Sequence, residues 1–278
     1  MSTQPLVSVV IPSYNYGHFI GQAVESVLNQ SYKNIEIIVV DDGSQDHTDQ
    51  ILAEFGNRIT VIKSENQGAC TARNLGILHS KGELIAFLDA DDYWEPTKTE
   101  IQVKALISSR TDLNYCEMII DDGSTHRKSL SPNPEELSTA WFHKNPGRTP
   151  FAPSVVLMRR ELVARTSGWN TNLKSPAEDF DFFRRSIKYG KFSKVQEPLV
   201  VHRNHEASLT ASNDLRYFQD NRRALRIMIA EDRDYLRLWD IMRIWWKFNL
   251  ILIKHALRKR RIRLLLDFLL RGKGRLTR

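Results

Sequence analysis

The stretch Leu84-Ile85-Ala86-Phe87-Leu88-Asp89-Ala90-Asp91-Asp92 joins five apolar residues directly to a cluster of acids. A strand that is apolar at every position is typical of the centre of a parallel sheet, where both faces are covered. The acids would then lie just past the carboxyl end of that strand. Because ligands of open parallel sheets bind beyond the carboxyl ends of the strands, this stretch predicts both the kind of sheet and the edge that holds a site.

Apolar runs of this kind alternate with segments of helical period through the N-terminal part of the chain. Strands are expected at 7–11, 35–40, 59–62 and 84–88, with helices that begin near Gly17, Asp46 and Gly68. Such alternation is typical of βα units around a parallel sheet. Further strands are expected at 115–120, 154–158 and 198–201, and further helices at 159–165, from Pro176 and from Leu215 onward. The sequence therefore predicts an α/β fold in which helices flank a Rossmann-like, mainly parallel sheet.

Composition divides the chain into three parts. Residues 1–120 contain the βα units, and residues 121–212 form a second half. The second half opens with a segment at 121–150 that is rich in Ser, Pro, Asn and charge and has no clear period, which predicts a mobile or specificity-setting loop. Residues 213–278 are expected to be a helical, basic, amphipathic extension.

The positive charge is concentrated at the C-terminal end. Residues 254–278 hold ten of the 40 Lys and Arg residues and one of the 33 Asp and Glu residues, so this end carries +9, the rest carries −2 and the formal net charge is +7. A nearly neutral body does not indicate a nucleic-acid-binding protein, and the basic end alone indicates a charged partner.

Residues 238–278 have the pattern of a helix that lies in a membrane interface. Four charged residues between 240 and 254 are too many for a spanning helix. The basic residues recur at spacings of three, four or seven, opposite an apolar face that includes Trp245, Trp246, Leu250 and Leu257, which favours an anionic membrane surface. The alternative is a helical pair packed on the body or on a second copy of the chain, which would make a homo-oligomer.

The two cysteines indicate a reducing compartment. Cys70 and Cys116 lie in segments expected to be helix and strand interiors, and neither belongs to a C-x-x-C pair or a zinc-type spacing. The N-terminus enters a strand without the basic region and long apolar stretch of a signal peptide. The expected location is therefore cytoplasmic, with the basic helix on the inner face of the cytoplasmic membrane.

Asp89, Asp91 and Asp92 repel one another unless a cation neutralises them. Mg²⁺ and Mn²⁺ prefer oxygen ligands and bind one or two carboxylates together with phosphate oxygens. The alternative is a solvated acidic turn that caps the next helix. A second acidic segment, Asp41-Asp42-Gly43-Ser44, also follows a buried strand, so a carboxylate there could accept a hydrogen bond from a base imide or a ribose hydroxyl. The same tetrapeptide at 121–124 runs into a polar segment, and we interpret it as a turn.

Four motifs follow one another with compatible spacing: Val9-Val10-Ile11-Pro12-Ser13-Tyr14-Asn15, residues 38–44, residues 68–76 and residues 87–92. Together they resemble the family 2 inverting glycosyltransferases of GT-A fold, over about residues 5–210. The resemblance implies a nucleotide-sugar-binding half at 1–120 and an acceptor-binding half at 121–212. It implies metal-dependent transfer of one sugar from a UDP- or dTDP-sugar to a hydroxyl of a saccharide or lipid-linked saccharide, in the assembly of cell-surface polysaccharide or glycolipid.

The resemblance also implies roles for residues of the first half. Pro12, Tyr14 and Asp41 would contact the nucleoside, with Asp41 nearest the base. Arg73 would lie beside the diphosphate and the acid cluster. The cofactor would be Mn²⁺ or Mg²⁺, with Asp91 as the main ligand and Asp89 as a second one nearer the ribose or the sugar.

Glu178-Asp179 matches an acidic pair that the family places at the start of a helix beneath the acceptor. Asp179 is thereby implied as the catalytic base, because a carboxylate is ionised at neutral pH and can accept the proton of the acceptor hydroxyl. Ser175-Pro176-Ala177-Glu178 also has the form of a capping box with Pro at the first helical position. Glu178 is therefore expected to cap the helix while Asp179 faces the cleft.

The segment His202-Arg203-Asn204-His205 resembles the closing motif of the family. It implies that His205 approaches the metal or the diphosphate and that Arg203 neutralises phosphate charge. His202 stands where Tyr is usual, so either histidine is a candidate. The processive synthases carry a Gln-x-x-Arg-Trp motif whose Trp is missing at 219–223, which favours the addition of a single sugar.

Two other functions agree with part of the pattern. Asp89-x-Asp91 after an apolar strand also resembles the nucleophile strand of haloacid-dehalogenase-like phosphatases, but those carry it on an early strand and follow it with Thr or Val, whereas Asp92-Tyr93 follows here. The other alternative is a catalytically silent, membrane-bound scaffold of the same fold. Transfer of a sugar would exclude both.

Overall fold

The structure, a computed structural model, describes residues 4–174, 177–205 and 215–258. The first half consists of β1 (Val7–Ser13), α1 (Gly17–Leu28), β2 (Ile35–Asp41), α2 (Thr48–Ala53), β3 (Thr60–Lys63), α3 (Ala69–His79), β4 (Leu84–Phe87), β5 (Tyr93–Trp94) and α4 (Lys98–Ser108). The strands and helices expected from hydrophobic periodicity in this half are confirmed, with small differences at their ends.

β6 (Leu113–Asp121) ends the first half. The second half consists of β7 (His126–Ser129), α5 (Thr139–Lys144), β8 (Val156–Arg159), α6 (Arg160–Arg165), α7 (Ala177–Tyr189) and β9 (Phe192–Arg203). The helices α8 (Leu215–Glu231) and α9 (Leu238–Arg258) follow. The segment 121–150 is not the plain loop that its composition predicts. It contains β7, which pairs with β6 as a hairpin, and α5, whose Phe142 is fully buried.

In the described part of the chain the strands form one sheet in the order β3-β2-β1-β4-β8-β6-β9-β5, with β7 beside β6. The strands β3, β2, β1 and β4 are mutually parallel, whereas β8 is antiparallel to both β4 and β6. Every residue of β4 is buried, as expected for a strand covered on both faces. Because β2 and β4 flank β1 in parallel, the loops that follow these three strands meet at one edge.

The C-terminal helices pack on the body through one face of α9. Ile244 and Phe248 are buried there, and Trp245 packs against the same core. The predicted apolar face is thus divided, because Trp245 faces the body while its neighbour Trp246 is 65% exposed. Residues 259–278, with most of the basic charge of the tail, lie outside the described residues. Across the described ranges, none of the helices combines the length and the apolar character that crossing a membrane requires.

Gly76 lets α3 lie directly against β1. A Cβ atom at position 76 would be 2.3 Å from Cγ1 of the fully buried, stiff Val10. Gly76→Ala should therefore lower the free energy of unfolding, by about 1–3 kcal/mol, although Ala is ordinarily better in a helix. Gly21→Ala in α1 is the matched control, since its Cβ would be 3.3 Å from Ile51. Urea unfolding of both variants measures the difference, and equal stability would contradict this packing.

Candidate active site

The ends of β1 and β2 bring the predicted nucleoside contacts together. Ser13 pairs with Asp41 in the parallel register, so Tyr14 and Asp41 lie at the same edge of the sheet. Pro12 is buried within β1, and Tyr14 is 40% exposed. Oδ1 of Asp41 accepts a hydrogen bond from the backbone N–H of Ser44 at 3.0 Å, which orients the carboxylate.

Asp42, the neighbour of Asp41, has a structural role. Its buried carboxylate accepts hydrogen bonds from Ser64 Oγ at 2.8 Å and from the backbone N–H groups of Gln67 and Gly68 at 3.0 and 2.6 Å. These bonds tie the end of β2 to the loop that leads into α3. In the second copy of the tetrapeptide, Asp122 accepts hydrogen bonds from Ser124 and Thr125 between β6 and β7, as expected for a turn.

The three acids after β4 have three different sets of partners. Asp89 accepts a hydrogen bond from Nη2 of Arg73 at 2.7 Å. Oδ2 of Asp91 lies 3.1 Å from Nε2 of His205. Asp92 is fully buried and turned towards the second half of the chain. The interpretation as a solvated acidic turn is therefore wrong, because the surrounding elements enclose and pair these carboxylates.

Asp92 joins three segments of the chain. Its oxygens accept hydrogen bonds from Ser154 Oγ at 2.6 Å, from His202 Nδ1 at 2.9 Å and from the backbone N–H of Arg203 at 3.3 Å. Burial acts to lower the pKa of His202, but the hydrogen bond and charge of Asp92 and the charges of the other two acids raise it to about 9. His202 is thus a positively charged partner of Asp92, and His205 is the histidine that faces Asp91.

Asp91 and His205 share a pocket with two aromatic residues that sequence reasoning missed. The ring of Phe19 stacks on His205 with centroids 4.7 Å apart, and the Tyr16 phenol faces Asp91. Burial raises the pKa of Asp91 to about 6, and the charges of Asp92 and Asp89 add to the rise. Burial likewise raises the pKa of the Tyr16 phenol, with the charge of Asp91 adding to it. Tyr16 and Phe19 are three residues apart at the start of α1, a spacing that could have pointed to them.

The chemistry of Asp91 and His205 fits a divalent cation. They offer an oxygen and a nitrogen donor that already approach each other, and the raised pKa of Asp91 shows that its charge is poorly compensated. Within the described ranges no group of three Asp, Glu, His or Cys side chains comes together as a complete metal site. Two protein ligands suit Mg²⁺ or Mn²⁺ when phosphate oxygens supply the other positions.

Arg203 lies beside the loop that carries Asp91. Its Nη1 donates to the backbone oxygen of Asp91 at 2.8 Å, and Nη2 donates to the side chain of Gln22. The guanidinium lies over the rings of Tyr93 and Phe19, at 4.7 and 5.4 Å from their centroids. Arg203 therefore supports the loop that carries Asp91 and contributes positive charge beside it.

Arg73 and Asp179 lie next to each other on the other side of Asp89. Nη1 of Arg73 is 4.0 Å from Oδ1 of Asp179, and the guanidinium lies 4.5 Å over the indole of Trp169. Burial raises the pKa of Asp179 above its ordinary value, the charge of Glu178 adds to the rise, and Arg73 opposes it. Burial also raises the pKa of Glu178, to about 7. The predicted capping box involves residues 175 and 176, which lie outside the described residues.

Trp169 and Ser154 are the other site residues that sequence reasoning missed. Asn74 holds Trp169 through hydrogen bonds of 2.8 Å with both its backbone N–H and its carbonyl oxygen. Ser154 accepts a hydrogen bond from the backbone N–H of Asp89 as well as donating to Asp92. Neither contact has a local sequence signal, because the partners lie 62 to 95 residues apart in the chain.

Comparison with known proteins identifies sequence relatives of the chain. The profile described as glycosyl transferase family 2 matches residues 8–166. An uncharacterized glycosyltransferase of Rickettsia prowazekii is 32% identical over 232 residues, which cover 78% of this chain and 70% of the relative. The UDP-Glc:alpha-D-GlcNAc-diphosphoundecaprenol beta-1,3-glucosyltransferase WfgD of Escherichia coli is 38% identical over 130 residues, 46% of this chain and 51% of WfgD.

The fold matches that of solved glycosyltransferases. The mannosyltransferase PcManGT from Pyrobaculum calidifontis, in complex with GDP-Man and Mn²⁺, superposes with a TM-score of 0.60 over 98% of this chain and 88% of its own, at 18% identity. This likeness confirms the expected GT-A fold.

The pair of His202 and Asp92 should make stability depend on pH. The folded pKa of His202 is about 9, against about 6.5 for an unperturbed histidine. The pair therefore stabilises the folded state fully below pH ~6.5 and loses this contribution as the pH rises through the folded pKa. His202→Asn keeps a hydrogen-bond donor near the position of Nδ1 but cannot be charged. Its melting temperature, measured in EDTA, should fall furthest below that of the unsubstituted protein near pH 6, and the gap should narrow towards pH 9.5.

His126→Asn is the control for this experiment, because His126, the first residue of β7, also lies close to an acid, Asp121 at 3.2 Å, but its side chain is 70% exposed. Its melting temperature should follow that of the unsubstituted protein across the range. A constant gap for His202→Asn would show that the charge of His202 does not contribute.

Proposed function

The chain belongs to glycosyl transferase family 2, and from this membership and the geometry of the cleft we propose that it is an inverting, metal-dependent enzyme that adds one sugar to a hydroxyl acceptor. The chain is a glycosyltransferase with a GT-A fold. Family membership decides against the phosphatase alternative. A catalytically silent scaffold remains an outcome of the transfer assay below.

The observation that carries the proposal is the order of charged groups across the cleft. His205 and Asp91 are 3.1 Å apart, Asp89 and Arg73 are 2.7 Å apart, and Arg73 and Asp179 are 4.0 Å apart. Asp89, two residues before Asp91 in the chain, and Arg73 thus connect a candidate cation site to a candidate base. A transferase that activates a leaving diphosphate and an attacking hydroxyl needs these two functions on opposite sides of the sugar.

We propose a UDP- or dTDP-sugar as the donor. The carboxylate of Asp41, held by Ser44 at the edge of the sheet, is suited to accept a hydrogen bond from the N3–H imide of uracil or thymine. Tyr14, exposed beside it, and Pro12 would complete the nucleoside contacts. The name of the relative WfgD, which includes UDP-Glc, supports a uridine nucleotide.

Asp91 and His205 would hold Mn²⁺ or Mg²⁺, with Asp89 as a secondary ligand. The cation would neutralise the diphosphate and make it a better leaving group. The donor set supports this, and so does the Mn²⁺ in the complex of PcManGT. Arg203 would add positive charge beside the diphosphate.

Asp179 would act as the base. Its carboxylate accepts the proton of the acceptor hydroxyl while the hydroxyl oxygen forms a bond to the anomeric carbon. The bond from that carbon to the diphosphate breaks on the opposite face, so the sugar is transferred in one displacement and its configuration is inverted. Asp179 is partly exposed at the start of α7, as a group that must meet the acceptor should be.

In this proposal residues 1–120 bind the donor and residues 121–212 bind the acceptor. The acceptor would be a saccharide or lipid-linked saccharide, a class supported by the diphosphoundecaprenol named for WfgD. Cell-surface polysaccharide or glycolipid assembly is the process in which such acceptors are used.

We propose that α9 attaches the enzyme to an anionic membrane on its cytoplasmic face. Trp239 is 79% exposed, and Met242 and Trp246 lie on the same side of the helix at spacings of three and four. Arg243 and Lys254 are exposed beside this apolar strip. An exposed apolar strip bordered by basic residues is typical of a helix that lies in a lipid interface.

The proposed base predicts a separation of turnover from donor binding. Asp179→Asn should lower the rate of sugar transfer about 10²–10⁴-fold, since proton transfer to a positioned base contributes this much. Titration calorimetry with UDP in MnCl₂ should give an affinity within about twofold of the unsubstituted protein, because Asp179 is not a proposed donor contact. Loss of a donor contact worth about 1.4 kcal/mol would weaken binding tenfold. Full turnover in Asp179→Asn would end the proposal.

The two copies of the acidic tetrapeptide provide a matched control for the donor site. Asp41→Asn should weaken UDP binding, because the amide offers the base imide a poorer acceptor than the carboxylate. Asp121→Asn, at the corresponding position of the turn between β6 and β7, should leave UDP binding unchanged. If both substitutions have the same effect, Asp41 is not a nucleoside contact.

The proposed membrane face predicts a lipid-dependent loss in one double variant. Trp239→Ser together with Trp246→Ser should greatly reduce flotation with vesicles of phosphatidylglycerol and phosphatidylcholine, because both side chains are exposed and their burial in lipid would be lost. Leu78→Ser is the control, since Leu78 is 76% exposed but lies on a different helix, α3. Equal flotation of the double variant and the control, or binding to a second copy instead of vesicles, would contradict the membrane proposal.

A further inference from the structure

Arg73 is surrounded by three carboxyl groups. It is 4% exposed and donates to Asp89 through Nη2. Nη1 faces Asp179 at 4.0 Å, and the charge of Glu178 also acts on the guanidinium. One cation is therefore shared by three carboxylates.

The hydrogen bonds around Arg73 are incomplete. Nε and Nη1 of Arg73, Oδ1 of Asp179 and Oε2 of Glu178 are all buried without a hydrogen-bond partner in the structure. Most buried polar atoms in folded proteins have such a partner, so a cluster of four exceptions at one place calls for a functional explanation. Nη1 of Arg73 and Oδ1 of Asp179 face each other at 4.0 Å, slightly too far apart for a hydrogen bond.

The guanidinium is also fixed in place. It lies over the indole of Trp169, which stacks on Phe182 with centroids 4.1 Å apart and planes 9° from parallel. Asn74, the neighbour of Arg73, holds the backbone of Trp169 on both sides. The guanidinium is therefore held between Asp89, Asp179 and the indole of Trp169.

We propose that Arg73 is a positioning residue for the base, and that it does not bind the donor diphosphate. Its positive charge stabilises the ionised, proton-accepting form of Asp179, and Nη1 orients that carboxylate towards the acceptor. Nη2 donates to Asp89 and Nη1 faces Asp179, so both terminal nitrogens of the guanidinium are already directed at carboxyl groups. This inference rests on the proposed role of Asp179 as base, and it assigns Arg73 to the acceptor side of the reaction.

The first test compares donor binding with turnover. Arg73→Lys keeps the charge but loses the planar fork that reaches two carboxylates. Its affinity for UDP in MnCl₂ should remain within about twofold of the unsubstituted protein, whereas turnover of the nucleotide sugar should fall by about 10²-fold, the lower range for loss of a positioned base. A tenfold loss of UDP affinity would make Arg73 a diphosphate ligand and overturn the inference.

The pH profile of turnover supplies a readout that a merely structural role would not move. Asp179 is faced by Glu178 on α7, by Arg73 on α3 and by Asp89 after β4, and Asp220 on α8 acts on Glu178. Among these groups only Arg73 is positively charged, and its charge opposes the rise in the pKa of Asp179. Arg73→Gln should therefore move the acidic limb of the profile upward by about one pH unit or more. Arg73→Lys should restore part of that shift, and an unchanged limb in both variants would overturn the inference.

A third measurement needs no ligand. Arg73→Gln should lower the melting temperature, since it leaves buried carboxylates uncompensated. The double variant with Arg73→Gln and Asp179→Asn should melt about 2–4 °C higher than Arg73→Gln alone, which corresponds to about 1 kcal/mol. Strictly additive effects would show that the two residues are uncoupled. Failure of the unsubstituted protein to bind UDP would instead overturn the proposed function, and this cycle would still decide the role of Arg73.

Discussion

The site depends on one buried carboxylate. Asp92 accepts hydrogen bonds from Ser154, His202 and the backbone of Arg203, and thereby joins the acid loop after β4 to the turn before β8 and to the end of β9. A buried charge is tolerable only when it is paired and hydrogen-bonded, so these partners and Asp92 must stay together. The residue that follows Arg203 by two, His205, lies opposite Asp91 only while this junction is intact.

The surroundings of Asp92 and of Asp179 differ in how completely their buried polar atoms are hydrogen-bonded. Around Asp92 both carboxylate oxygens have hydrogen-bond partners, and a cationic histidine balances the charge. Around Arg73 and Asp179 buried donors and acceptors lack partners. A complete network gives rigidity, whereas an incomplete one keeps a carboxylate basic and available at some cost in stability. The proposed base, Asp179, therefore has incomplete hydrogen bonding, whereas both oxygens of Asp92 in the same site have partners.

Local pattern was enough to predict the first half of the fold and part of the site. Alternating apolar runs fixed the strands from β1 to β4, and parallel strands bring Asp41 and the acid cluster to one edge. Asp179 and His205 could be connected to that edge only by resemblance to a family, because they meet Arg73 and Asp91 from about a hundred residues away in the chain. Trp169 and Ser154 had no signal of either kind. In α9, periodicity predicted an amphipathic helix but could not tell which side the body covers, and so it grouped the half-buried Trp245 with the exposed Trp246.

The two Asp-Asp-Gly-Ser segments share a backbone turn, with Gly43 at φ +82° and Gly123 at φ +81°. They differ in the distance along the chain between the second Asp and its hydrogen-bond partners. Asp42 binds groups 22 to 26 residues later, and Asp122 binds groups two or three residues later. The same tetrapeptide thus connects two distant parts of the chain in one place and forms a local turn in the other. Its structural role depends on the roughly thirty residues that follow it, so an insertion between β2 and α3 would disrupt the proposed donor site without changing Asp41 or Asp42.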